Sequence, residues 1–142
     1  MVVKSSKIGA ILGLIGSTIL LVVGLASVSF ARNAYHPDPY FPVFIPYITA
    51  FVTVALSAFG LLGTILVFRD IPMGYIFLLI AGIVGIIGTL LPIYIYVYDD
   101  GYGYTYTYMN FLVGTALYTD LILMVVGGIL GFALAEKKER IK

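Results

Sequence analysis

The sequence predicts an all-α membrane protein, an antiparallel bundle of four transmembrane helices with a tyrosine-rich β-hairpin between helices three and four. Three observations carry that reading. Of 142 residues, 61% are hydrophobic and 11% charged, against roughly 25% charged in an ordinary soluble domain. The apolar residues gather in four long stretches that hold one charge between them, Asp120. Between the last two stretches, tyrosines alternate with other residues on both sides of Asp99-Asp100-Gly101. A soluble domain of this size buries only part of its surface, so lipid is the solvent that accommodates this composition.

The four stretches cover residues 8–30, 44–68, 71–91 and 109–135, and make one domain of residues 1–142. Each reaches the roughly 20 residues needed to cross the hydrocarbon. The first also begins like a secretory signal, with Lys4 and Lys7 before an apolar run. Signal sequences have an apolar region of only about 7–15 residues, and the longer run here reads as a retained helix. Pro42 and Pro46 set the start of the second helix near Phe44. Helices two and three are joined by the short connection Arg69-Asp70-Ile71-Pro72, which demands a tight antiparallel hairpin. Pro72 suits the first turn of helix three, where its missing N–H costs nothing.

Orientation follows from the basic residues. Four spans place Lys4, Lys7, Arg69, Lys137, Lys138, Arg140 and Lys142 on one side and only Arg32 on the other. Seven of eight on one face gives a multi-pass protein of the cell membrane with both termini cytoplasmic.

Beyond Pro92 the period changes from helical to alternating. Residues 93–98 and 102–108 flank Asp99-Asp100-Gly101 with β-branched and aromatic residues at period two, the pattern of a β-hairpin. The competing reading is a helix three that continues through a proline kink to Tyr98. A hairpin here would present Tyr94, Tyr96, Tyr98, Tyr102, Tyr104 and Tyr106 as an outer surface for a partner, tyrosine being enriched at membrane interfaces and protein contacts alike.

Small residues recur within the spans. Gly13/Gly16/Ser17, Gly60/Gly63/Thr64 and Gly85/Gly88/Thr89 share one spacing, echoed by Gly128/Gly131. Small residues let helix backbones approach closely in lipid. The copies in helices one, two and four lie toward the inner ends, so a tight inner half and a wider outer half filled by Tyr and Phe are expected.

Asp120 is the one residue in the spans that asks for chemistry. Counting from 109 to 135 puts it near mid-membrane, where a carboxylate costs about 2.5–3.5 kcal/mol on insertion scales. No Lys, Arg or His shares its span, so it needs hydrogen-bond donors, water, a proton or an ion. Thr49, Thr53, Ser57, Gly60 and Thr64 lie on one face of helix two, and Thr53, Ser57 and Thr18 fall near its depth. Those residues form a candidate polar site: a proton- or cation-responsive track, or a carboxyl locked to hydroxyls as glue between helices.

The remaining chemistry is mostly excluded. Without cysteine there are no disulfides, thiolate sites or thiol nucleophiles. No phosphate-binding glycine loop, zinc-protease motif or pair of membrane histidines is present. His36 with Asp38, Asp99 and Asp100 fixes no ligand geometry, so no metal or other cofactor is expected. No basic stripe points to nucleic acid. The four-span layout is similar to that of claudins and tetraspanins, but their outer-loop cysteines and the claudin tryptophan have no counterpart here. Small multidrug exporters carry a Glu in their first span, which this chain lacks. Topology alone carries no function. What remains is a non-enzymatic accessory or scaffold subunit, its partners the bilayer and other membrane subunits, or a small proton-coupled transporter or channel using Asp120.

Overall fold

The computed structural model describes residues 6–33, 44–99, 101–103 and 105–140. Four helices and one hairpin follow in the order α1 (Ser6–Asn33), α2 (Ile45–Phe68), α3 (Met73–Leu90), β1 (Pro92–Asp99), β2 (Thr105–Phe111) and α4 (Thr119–Arg140). Three helical segments, Lys7–Ser29, Ile45–Phe68 and Met73–Leu90, are long and apolar enough to cross a membrane. The apolar part of α4, Thr119–Leu134, is shorter. The helices form a square in which α1 packs on α2 and α4, and α3 packs on the same two.

Local chemistry explains the boundaries. Pro46 sits in the first turn of α2, where no N–H is needed. At its other end α2 closes with a Schellman motif: Asp70 takes a left-handed φ of 61°. Its N–H donates to Val67 O at 2.9 Å, and the Ile71 N–H donates to Leu66 O at 2.9 Å. That motif turns the chain straight into α3, whose N-cap is Pro72.

Pro92 ends α3. The residue before a proline is pushed out of the helical region, and Leu91 is extended at φ −93°, ψ 104°. The hairpin was expected over residues 93–108 and is longer, pairing Pro92 with Phe111 and Asp99 with Thr105 in antiparallel register. Its connection is therefore a five-residue loop rather than a tight Asp-Gly turn. Gly101 and Gly103 supply the positive φ it needs, at 74° and 92°.

The fourth segment departs from expectation. Residues 109–135 were read as one helix, yet Met109 and Asn110 pair with Ile95 and Tyr94 in the sheet. Residues 112–118 are non-helical, and α4 begins only at Thr119. Hydropathy reports apolar character without its period, and strand pairing to β1 took the first residues of the run. Left-handed φ values at Leu117 and Tyr118, 56° and 62°, separate loop from helix.

Glycines set the helix contacts. A Cβ on Gly127 would come within 2.6 Å of Gly9 O and 2.8 Å of Gly13 N. One on Gly63 would meet Gly74 O at 2.7 Å. Val113, from the loop, joins Leu20, Ala81, Leu121 and Met124 in the core. A second cluster of Ala10, Val67, Tyr75 and Leu78 lies toward the end of the bundle that holds the α2–α3 turn.

Candidate functional site

The loop of residues 112–118 enters the bundle from the hairpin end and delivers Asp120 to its middle. Irregular backbone is tolerated at that depth only when the protein satisfies its polar groups. Several backbone groups of the loop find partners on neighbouring elements. Gly88 O would normally accept from residue 92, but Pro92 has no N–H. The Val113 N–H donates to Gly88 O instead, at 3.2 Å, and the Leu112 N–H donates to Leu91 O at 3.0 Å.

The hydroxyl stripe of α2 holds the other side of the loop. Thr49 Oγ1 donates to Phe111 O. Thr53 Oγ1 accepts from the Gly114 N–H at 2.9 Å and donates to Thr49 O at 2.7 Å. Lower on the same face, Ser57 Oγ donates to Val54 O at 2.7 Å and Thr64 Oγ1 to Gly60 O at 3.1 Å. The stripe expected to serve Asp120 thus holds the end of β2 with Thr49 and the loop with Thr53, and turns Ser57 and Thr64 back on their own helix.

Asp120 is 0% exposed, and its partners are local. Thr115 Oγ1 donates to Oδ1 at 2.6 Å, the Ala116 N–H donates to Oδ2 at 3.1 Å, and the Leu121 N–H donates to Oδ1 at 2.9 Å. Thr115 Oγ1 in turn accepts from the Tyr118 N–H at 3.0 Å. The arrangement is akin to a capping box, with a hydroxyl and a carboxyl satisfying the Leu121 N–H of the first turn of α4 and the Ala116 and Tyr118 N–H groups of the loop before it. Those hydrogen bonds account for an acid side chain buried at mid-bundle.

Depth can be read from the neighbours. Asp120 O packs on Gly16 of α1, and Leu121 packs on Gly85 of α3. The four expected site residues do not converge. Thr53 touches the loop one residue before Thr115, Ser57 is buried on its own bond, and Thr18 is on the exposed face of α1. Ser17, its neighbour, is the buried one, 0% exposed with no hydrogen-bond partner for Oγ. It faces Gly60 of α2 beside Met124.

Sequence reasoning passed over Gly114, Thr115 and Ala116. A signal was present: Gly114, Thr115, Thr119 and Asp120 concentrate turn and N-cap residue types inside an apolar run. Among the described residues no group of three or more His, Cys, Asp or Glu could hold a metal ion. Of the candidate outer tyrosines, Tyr94, Tyr96, Tyr98 and Tyr106 take register positions on one face of the hairpin. Tyr102 is exposed at the tip, and Tyr104 lies outside the described residues.

No known protein family, curated protein or solved structure matches this chain. The reading of function therefore rests on the site itself.

Proposed function

We propose that this chain is a four-pass membrane protein with both termini inside, acting without catalysis as an accessory or scaffold subunit of a membrane assembly. The loop of residues 112–118 and α4 together run alongside α1 from the level of Ser27, near Gly114, to that of Gly9, near Gly127. A short helix plus a docked loop therefore replaces a fourth full-length helix.

The observation that supports a structural role is the way Asp120 is used. Every hydrogen bond it accepts comes from residues 115–121, the segment it caps. Close glycine contacts favour a rigid body, and the hairpin supplies the outer surface for a partner. Purification in mild detergent tests the proposal. Stable co-purification of another membrane protein, lost on Tyr96→Ala and Tyr98→Ala without loss of fold, supports it. A homo-oligomer that passes protons would defeat it.

A second reading has its own observation. Helices that start in mid-membrane beside irregular backbone mark binding sites in many transporters, and α4 starts in the middle of the bundle after the irregular residues 112–118. A proton-coupled transporter or channel would route protons past Asp120. Reconstituted vesicles carrying an internal pH dye test this: proton uptake abolished by Asp120→Asn, in a protein that stays folded, would favour transport.

A further inference from the structure

The hairpin is two-faced. Register places Ile95 opposite Met109, Val97 opposite Thr107 and Asp99 opposite Thr105, with Phe111 two residues beyond Met109 on the same face. Tyr94, Tyr96, Tyr98, Tyr106 and Tyr108 take the opposite parity. On the first face Ile95, Val97 and Met109 are 53%, 58% and 53% exposed, although they are apolar. The face is also graded. Phe111, Ile95 and Met109 lie at the root, whereas Thr105, Thr107 and Asp99 lie toward the tip.

A two-stranded ribbon is marginal in water unless something covers one face. Among the described residues, β1 packs chiefly on β2, and β2 touches α2 and α3 only lightly, with Thr49 of α2 bonded to Phe111. Helix α3 has 18 residues, about 27 Å at 1.5 Å per residue, close to the roughly 30 Å of hydrocarbon. Starting beside the inner turn at Arg69 and Asp70, it brings Pro92 to the outer boundary of the hydrocarbon. The exposed apolar residues of α3 (Ile83, Val84, Ile87 and Leu90) are followed along the chain by exposed Leu91 and Ile95, with no charged residue between them.

We propose that the Ile95/Val97/Met109/Phe111 face of the hairpin lies on the lipid surface, embedded in the outer headgroup layer, so that the ribbon reclines along the membrane. The occupant of this face is lipid because the face continues the lipid-contacting side of α3 and emerges at interface depth. Its grading from apolar root to polar tip matches a ribbon that rises slightly toward water. Reclining also turns the tyrosine parity away from the bilayer, where a protein partner can reach it. The inference rests on membrane embedding and not on the scaffold role.

The chain has no tryptophan, so a single introduced indole is the only one in the protein. Ile95→Trp, Val97→Trp, Tyr96→Trp and Tyr102→Trp are each made in the full chain and reconstituted into phosphatidylcholine vesicles. Their fluorescence is quenched by iodide from water and, separately, by lipids brominated near the top of the acyl chain. Ile95→Trp and Val97→Trp should be quenched strongly by the brominated lipid and several-fold less by iodide than Tyr102→Trp. Tyr96→Trp should follow Tyr102→Trp. Two positions read the lipid face, so misfolding of one variant leaves the other. Co-flotation of the parent chain with vesicles reports membrane embedding independently of either quencher. Iodide quenching of both face positions at the Tyr102→Trp level would overturn the proposal, as it means an upright ribbon. Shielding of both from iodide and lipid alike would also overturn it, because protein, such as a second copy, would then cover the face.

Discussion

Replacing Asp120 by asparagine keeps size and one carbonyl-type oxygen but turns the second acceptor into a donor. In the wild-type geometry Oδ1 receives Thr115 Oγ1 and the Leu121 N–H, while Oδ2 receives the Ala116 N–H. The amide oxygen can keep the first two. Its NH2 group then faces the Ala116 N–H, donor against donor, and leaves that group unpaired at about 1–3 kcal/mol. Asp120→Leu strands both backbone N–H groups, for about 2–6 kcal/mol at the same rate. Reversible unfolding in mixed micelles measures both losses, and a double-mutant cycle assigns them. Asp120 and Thr115 should couple by about 0.5–3 kcal/mol, as groups in one network do. Asp120 and Ser57, bonded separately, should be additive within about 0.5 kcal/mol. An asparagine variant as stable as the parent, with coupling to Ser57 larger than to Thr115, would refute the cap and restore an interhelical carboxyl–hydroxyl contact.

Thr53→Val removes the acceptor for the Gly114 N–H, and should cost about 1–3 kcal/mol in the same unfolding assay. Gly127→Ala drives a methyl group toward backbone atoms of Gly9 and Gly13. It should destabilise by about 1–3 kcal/mol or more, whereas Gly114→Ala, whose nearest neighbours stand at 3.4–3.6 Å, should stay within about 0.5 kcal/mol; equal effects would break the packing argument. Single cysteines at Ser5 and Lys142 should be protected from an impermeant thiol reagent in intact cells, while one at Asp100 reacts. Labelling of both termini from outside would reverse the orientation, and labelling of one alone would mean an odd number of spans.

Local chemistry along the chain determined much of this fold. Length and apolarity marked three helices, because crossing lipid demands a long run with every backbone group paired internally. Proline placed three boundaries, at Pro46, Pro72 and Pro92, because its ring and missing N–H act on adjacent residues alone. Alternation around Asp99 and Gly101 marked the hairpin, since period two is written in the strands themselves. Glycine spacing pointed to close helix contacts, though not to which helices would meet.

The tertiary structure decided the rest, wherever a group's partner is distant in sequence. Residues 109–118 are apolar enough for a helix, and what takes them out of one is pairing: Met109 to Ile95 and the Val113 N–H to Gly88 O. The same holds for the polar residues. Thr49, Thr53 and Asp120 were visible as a set, but a hydroxyl stripe can bond its own helix, a carboxyl or a loop equally well. Which one it meets depends on where the loop of residues 112–118 comes to rest. Once it does, Thr53 takes Gly114, and Asp120 turns back onto Thr115 and Ala116. Thr18 and Ser17 make the point most simply. They are adjacent and chemically alike, yet the rotation of α1 against α2 and α4 buries Ser17 and leaves Thr18 outside. Composition specifies that such a helix has an inward face; only packing against its neighbours fixes which residue lies on it.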